Sequence, residues 1–237
     1  MKKTTEIADW INRHSDEIIE NIGQESIDVF NFLKNEFSKS DVTKNYLFQF
    51  VYRSFFRLDN AGLTPEFKTE YFELLEKNRN VKQFDFDVIL ERLFNFPNRK
   101  GQNTLQFSFT TKMFNMINNV MPIYDSEVAK MFGFSRPYNK EFDKKLDKYL
   151  DQFERISNGY NEIQEKGLLA NTIELFDKKF KNNNLFERKK IDFIFWSAGK
   201  IKKKYETYVG DDGMHTLDEL DEIDRRIKKR THNKKYT

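Results

Sequence analysis

Large apolar residues recur at three- and four-residue steps along most of this chain. The series begins with Ile7, Trp10 and Ile11 and continues with Ile18 and Ile22. This spacing places apolar side chains on one face of an α-helix, whereas a half-buried strand needs strict alternation of apolar and polar residues. No alternating run longer than about four residues occurs. The pattern therefore predicts an all-α protein.

The size and the aromatic content indicate how such helices would pack. The chain has 237 residues, of which 16% are aromatic, with 25 Phe and 10 Tyr. We expect a core built largely from rings, in one compact domain of residues 1–237 with two helical subregions. Residues 95–103 are where the chain would pass between possible lobes at 1–97 and 98–237.

The composition excludes several classes of site. The absence of cysteine rules out disulfides, thiolate metal sites and a cysteine nucleophile, and the three histidines are dispersed. We therefore expect neither a metal nor an organic cofactor. No apolar run of about 18 residues and no signal-peptide core is present, which indicates a cytoplasmic protein that contacts no membrane. We expect a monomer.

Charge is distributed evenly except at the C-terminus. The formal net charge is +3, with 41 basic and 38 acidic residues. This balance permits contact with nucleic acid but does not demand it. An acidic segment, residues 211–224, precedes a basic tail, residues 225–237. The tail is either a solvated end of the chain or an arm that contacts phosphate.

Capping residues and turns divide the pattern into helices. Ser40 or Asp41 would cap a helix whose inward face carries an aromatic-rich set. Thr64 with Pro65 starts the next helix, which ends near Asn78, and Asp85 or a neighbour starts another. Later helices are predicted at 140–157, closed by Asn158 and Gly159, at 160–180 and at 185–208, before a turn at 209–213 and a last charged helix. The aromatic-rich face of the helix that Ser40 or Asp41 would cap is formed by Tyr46, Leu47, Phe50, Val51, Phe55 and Leu58.

The stretch from Thr104 to Phe134 combines apolar character with isolated polar groups. On a helix over 104–119, Leu105, Met113, Met116 and Val120 fall on the same face as Phe109. Lys112 lies at the edge of that face. Its amine can extend past the edge into water, or it can lie in a cleft where loss of water lowers its pKa and makes it a nucleophile.

Asp125 follows a break at Pro122 and precedes another apolar helical pattern. An aspartate at this position is a good helix N-cap. A carboxylate fixed at a helix start beside aromatic residues also has the defined position that catalysis requires. The two roles are compatible.

The two residues lie in a pattern that resembles a known enzyme superfamily. Ser108 to Lys112 reads S-x-x-T-K and Pro122 to Asp125 reads P-I-Y-D. This arrangement resembles the active-site segment of the helix-hairpin-helix DNA glycosylases, closest to the branch that holds the 8-oxoguanine glycosylases and their bacterial relatives. In that superfamily a hairpin precedes the lysine, and residues 105–111 stand at that place.

The resemblance implies a function and a set of site residues. Lys112 would attack the sugar C1′ of a nucleotide extruded from DNA, and Asp125 would assist departure of the base. Ser108, Thr111 and Tyr124, next to these two in the pattern, would contact the substrate. The implied protein excises a damaged or modified base, with a lysine-dependent lyase step, in repair or in defence against foreign DNA.

A second stretch, residues 52–63, interleaves arginines with aromatic residues. Arg53, Arg57 and Asn60 are the polar additions to a base pocket that this stretch offers. The alternative is structural, with the aromatic residues in the core and Arg57 paired with Asp59. The alternative function for the whole chain is a helical protein without catalytic activity that binds nucleic acid or another protein.

Overall fold

Helices form all the regular structure of residues 3–209, the part of the chain that the computed structural model describes. Strands are absent from this part, so the all-α prediction is confirmed and the helices pack compactly. A 3₁₀ turn, Leu58–Ala61, follows the fourth helix. The α-helices are α1 (Thr4–Arg13), α2 (Ser15–Glu20), α3 (Gln24–Lys39), α4 (Tyr46–Phe55), α5 (Pro65–Lys77), α6 (Phe86–Phe94), α7 (Phe107–Ile117), α8 (Ser126–Met131), α9 (Phe142–Glu165), α10 (Ala170–Lys179) and α11 (Glu187–Val209).

Side-chain caps fix several helix starts. Thr64 accepts a hydrogen bond from the Phe67 amide, and Asp85 accepts one from the Val88 amide, so both predicted caps are confirmed. The predicted cap of α4 at Ser40 or Asp41 is wrong, because Asn45 caps that helix. Asp41 instead folds the preceding turn, where it accepts hydrogen bonds from the backbone and hydroxyl of Thr43.

Only part of the aromatic face predicted for α4 is inward, since Leu58 is buried and Val51 and Phe55 pack against the core. Phe48 and Tyr52 point into the core, whereas Tyr46, Leu47 and Phe50 are exposed. The Tyr52 hydroxyl lies 2.8 Å from the Tyr71 hydroxyl on α5, so two buried polar groups satisfy each other there. Seven of the ten positions of α4 are apolar or aromatic, and periodicity alone could not select the inward face.

Helix α9 is longer than predicted, because Asn158 and Gly159 lie inside it instead of ending it. Gly159 serves packing, since a Cβ there would lie 2.5 Å from the ring of Phe132. The chain turns instead at Gly167, whose φ of +59° favours glycine. The helix predicted over 160–180 is therefore the end of α9 followed by α10. The predicted turn at 209–213, the acidic segment and the basic tail lie outside the described residues, apart from Val209 at the end of α11.

The buried apolar residues form one contiguous cluster that is rich in rings, as predicted. Helix α11 packs against α2, α8, α9 and α10, and α1 packs against α9. Helices from both predicted lobes thus contribute to the same core, while the lobe boundary itself stays a prediction. None of the helices described is both long and apolar enough to cross a bilayer.

Candidate functional site

Helix α7 carries Lys112 and begins at Phe107, three residues later than the predicted start. Residues 107–111, which lie in the segment where the resemblance implies a hairpin, form the first turns of this helix. Met113 and Met116 are buried as predicted. The prediction for Val120 is wrong, because α7 ends at Ile117 and the Val120 side chain is 63% exposed.

Hydrogen bonds to α7 and α8 fix the turn that carries Asp125. The Tyr124 amide donates to the hydroxyl of the fully buried Thr111 at 3.0 Å. Asp125 accepts a hydrogen bond of 2.9 Å from the Glu127 amide, so its predicted role as the N-cap of α8 is confirmed. Thr111 and the cap therefore hold the carboxylate of Asp125 in one position relative to α7.

Lys112 and Asp125 meet at the wall of one cleft. Lys112 Nζ lies 3.9 Å from Asp125 Oδ2, with the two side chains 12% and 23% exposed. The cleft has a volume of about 520 Å³, within the range of ligand sites, and we call it the lysine cleft. Aromatic and charged residues line it: Glu25, Phe55, Phe56, Arg57, Lys112, Asp125, Glu127, Lys189, Asp192, Phe193, Trp196 and Lys200.

Burial is the largest influence on the protonation of the Lys112 amine. Burial lowers the pKa of Lys112, and the positive charges of Arg57 and Lys189 lower it further, while Asp125 acts in the opposite direction. The amine lies 4.9 Å from the centroid of the Phe109 ring and donates to the Phe56 carbonyl at 3.4 Å. Of the two alternatives for this lysine, the structure adopts the one inside a cleft.

Helix α11 supplies a buried ion pair beneath the cleft. Lys189 Nζ lies 3.4 Å from Asp192 Oδ2, and both residues are almost fully buried. Asn115 of α7 accepts from Lys189 at 3.0 Å and donates to Asp192 at 3.3 Å. Burial lowers the pKa of Lys189 and raises that of Asp192, and each charge opposes the shift of the other.

The same helix holds the Pro122 turn at two points. Asp192 accepts from the Ile123 amide at 3.4 Å, and Arg188 donates to the Val120 carbonyl at 3.1 Å. Arg188 also reaches Asn161 of α9 at 2.8 Å. The chain segment between α7 and α8 is thus fixed from α11, which gives the Asp125 cap a rigid support.

The backbones of α11 and α8 also approach each other closely. A Cβ at Gly199 would lie 2.3 Å from the carbonyl oxygen of Glu127, two residues beyond Asp125. Only glycine allows this approach without a shift of backbone. The spacing of the two helices therefore depends on that position.

Sequence reasoning missed the residues of α11 that support this site. One signal for them was present, since Asp192 is an acidic residue inside the apolar run from Ile191 to Ala198 and lies three residues after Lys189. A charge on the buried face of a helix needs a partner, and the spacing of three residues supplies one.

The other predicted residues divide between two clefts and the surface. Arg57 lines the lysine cleft, whereas Ser108 and Tyr124 line a second cleft of about 970 Å³ that shares Asp125 with the first. Thr111 is buried, so the structure gives it a positioning role. Arg53 and Asn60 line neither of these two clefts.

Asp59 pairs with Arg53 and Lys68, and not with Arg57, its predicted partner. The Asp59 carboxylate instead lies 3.4 Å from Arg53 Nε and also pairs with Lys68 of α5. Arg57 adopts a φ of +60°, which turns the chain out of α4 toward the 3₁₀ turn. Its side chain is thereby left exposed at the lysine cleft.

Within residues 3–209, no group of three or more His, Asp or Glu side chains is placed to hold a metal ion.

Comparisons with protein-family models, with curated proteins and with solved structures found no match for this chain.

Proposed function

We propose that the protein excises a damaged or modified base from DNA, with Lys112 as the nucleophile and Asp125 as its assisting carboxylate. The observation that carries the proposal is the 3.9 Å approach of Lys112 Nζ to Asp125 Oδ2 in a cleft open to solvent. The resemblance of residues 108–125 to the glycosylase active-site segment supplies the reaction class.

The surroundings of Lys112 suit nucleophilic attack. An amine must lose its proton before it can attack carbon, and the lowered pKa of Lys112 makes that loss easier. Aromatic rings on the cleft wall, including Phe55 and Trp196, offer planes on which an unpaired base can stack. A base has to leave the DNA stack before its glycosidic bond can be reached.

The reaction proceeds by displacement at C1′. A bond forms between Lys112 Nζ and C1′ while the bond from C1′ to the base breaks, and the base departs with the electron pair and takes a proton from water. The ammonium formed at Nζ passes a proton to the Asp125 carboxylate. The Asp125 carboxyl gives this proton to O4′ as the bond from C1′ to O4′ breaks and a protonated imine forms. The hydroxide left by protonation of the base then removes a proton from C2′, and the resulting β-elimination breaks the bond from C3′ to the phosphate oxygen and releases the phosphate.

Borohydride tests this proposal because it reduces the imine to a stable amine that links protein and DNA. Duplexes that each carry one modified base, or an abasic site, form the substrate panel. We expect covalent complex and base release with wild type, and neither with Lys112→Gln. Undiminished trapping and base release by Lys112→Gln would contradict the role of this lysine.

Lys145→Gln is the matched control. Lys145 is also a partly buried lysine whose pKa is lowered by burial, but it lines neither cleft. We expect this variant to trap DNA like wild type. Binding of DNA that weakens with salt, without base release on any member of the panel, would instead support the non-catalytic alternative.

A further inference from the structure

The two clefts that meet at Asp125 differ in charge. The lysine cleft has as many acidic as basic side chains: Glu25, Asp125, Glu127 and Asp192 against Arg57, Lys112, Lys189 and Lys200. In the second cleft Asp125 is the one acidic residue among the described residues that line it, against Lys130, Arg136 and Lys202. We call this second cleft the cationic cleft. Lys130 Nζ lies 3.6 Å from Glu127 Oε2, an acidic group of the lysine cleft, so Arg136 and Lys202 supply the excess positive charge here. An anion therefore gains more from entering this cleft than from entering the lysine cleft.

The cations of this cleft come from different elements around one opening. Lys130 lies in α8, Arg136 lies in the segment between α8 and α9, and Lys202 lies in α11. Lys202 is 6% exposed and donates to the Lys130 carbonyl at 3.3 Å, which places its ammonium against the end of α8. Gln152 of α9 donates to the Ser135 carbonyl at 3.1 Å and holds the segment that carries Arg136.

Neutral donors complete the wall. Ser108 and Gln106 lie at the N-terminus of α7, where Gln106 provides no side-chain cap, and Ser126 lies at the start of α8. Hydroxyl and amide groups beside cations are the usual partners of phosphate oxygens in complexes with nucleic acid. Ser126 and Asp125 line both clefts, so the two clefts are neighbours at the start of α8.

We propose that the cationic cleft binds a phosphodiester of the DNA strand whose nucleotide enters the lysine cleft. This inference rests on the proposed function and adds to it the place of the DNA backbone. Rings line both clefts, and charge distinguishes them. The neutral cleft, which holds Lys112, takes the nucleoside, and the cationic cleft takes the adjoining phosphate, with Asp125 between them. Lys130 and Arg136 are the cations that contact the phosphate oxygens.

The salt dependence of DNA binding tests this assignment without any chemistry. Affinity for a duplex with a stable abasic-site analogue is measured by fluorescence anisotropy over a series of salt concentrations, in a Lys112→Gln background. Each lost phosphate contact lowers the slope of log affinity against log salt by about 0.9. Because both side chains contact one phosphate, we expect the further double variant Lys130→Gln/Arg136→Gln to lower this slope by about 0.9 and to weaken binding at least about tenfold at low salt.

Lys166→Gln/Lys178→Gln is the matched control, because it removes two positive charges from exposed ends of α9 and α10 outside both clefts. We expect its slope to equal that of the Lys112→Gln parent. Equal slopes for the test and control variants, with thermal unfolding unchanged, would overturn the inference. Saturable stabilisation by inorganic phosphate that is lost in the test variant, together with equal slopes for DNA binding, would show a phosphate site that takes no DNA strand.

The salt-dependence experiment and the borohydride experiment can fail independently of each other. A loss of slope in the test variant together with absent trapping by wild type would reject the proposed catalysis and retain the phosphate site. Trapping that depends on Lys112, with no loss of slope in the test variant, would retain the catalysis and reject the phosphate site.

Discussion

Substitution of Gly199 by alanine tests whether the packing of α11 on α8 positions Asp125. The added Cβ would lie 2.3 Å from the Glu127 carbonyl oxygen, whereas ordinary contact begins at 3.4 Å. Both elements at the contact are backbone, so no side chain can rotate away. The two helices must therefore separate locally by about 1.1 Å, the difference between these two distances.

The expected loss of stability follows from two opposing terms. Overpacking of this kind costs about 1–3 kcal/mol. Alanine in a helix interior is favoured over glycine by about 1 kcal/mol, which offsets part of that cost. We expect the free energy of unfolding, measured with denaturant, to fall by up to about 2 kcal/mol in Gly199→Ala.

The expected effect on activity is larger. A misplacement of about 1 Å at a reacting group can cost about 10²-fold in rate, and α8 carries Asp125 at its start. We therefore expect Gly199→Ala to slow borohydride trapping by about that factor while the protein stays folded. Gly23→Ala is the control, since no atom lies within 4 Å of a Cβ there. Equal stability and equal trapping rates for Gly199→Ala and wild type would refute this reasoning.

Three further substitutions test other parts of the account. Asp192→Ala leaves the buried Lys189 ammonium without its carboxylate and should lower the free energy of unfolding by about 3–5 kcal/mol, whereas Lys189→Met/Asp192→Leu should recover most of that loss. Asp125→Asn keeps the helix cap and should change stability by less than about 1 kcal/mol, but it should abolish base release. Burial lowers the pKa of Lys34 to about 8, so stability should rise from pH 8 toward pH 9.5, and Lys34→Met should flatten that rise.

The sign of the Lys34 effect follows from proton binding. Above the folded pKa the folded chain has released a proton that the unfolded chain, with its pKa of 10.5, still binds. The free energy of unfolding therefore increases as the pH rises between these two pKa values. The same slope in Lys34→Met and wild type would contradict this assignment.

The other two tests also have results that would count against them. A loss below about 1 kcal/mol in Asp192→Ala would show that the ion pair does not need both partners. Base release at the wild-type rate by Asp125→Asn would leave Asp125 with the role of a cap alone.

Local chemistry made much of this fold predictable. The caps at Thr64, Asp85 and Asp125 depend on a side chain and an amide two or three residues apart, so a short stretch of sequence contains both partners. The same holds for Pro65 at the first turn of its helix. Lys112 and Asp125 also lie in one short segment, so the sequence could indicate that the two residues are near each other.

Contacts between distant segments could not be predicted in this way. Asp192 meets the Ile123 amide across 69 residues of chain, and Arg188 meets the Val120 carbonyl across 68. Gly159 leaves room on α9 for the ring of Phe132, which lies far from it in sequence, so this glycine does not mark a helix end. These features depend on tertiary packing, which overrides local signals for turns and faces.

The site of covalent attachment tests the central claim most directly. Wild type is trapped with borohydride on DNA that carries a base it releases, the complex is digested, and the modified peptide is identified by mass spectrometry. The account predicts a reduced sugar adduct on Lys112. An adduct on Lys189, Lys200 or any other amine, with Lys112 unmodified, would contradict it.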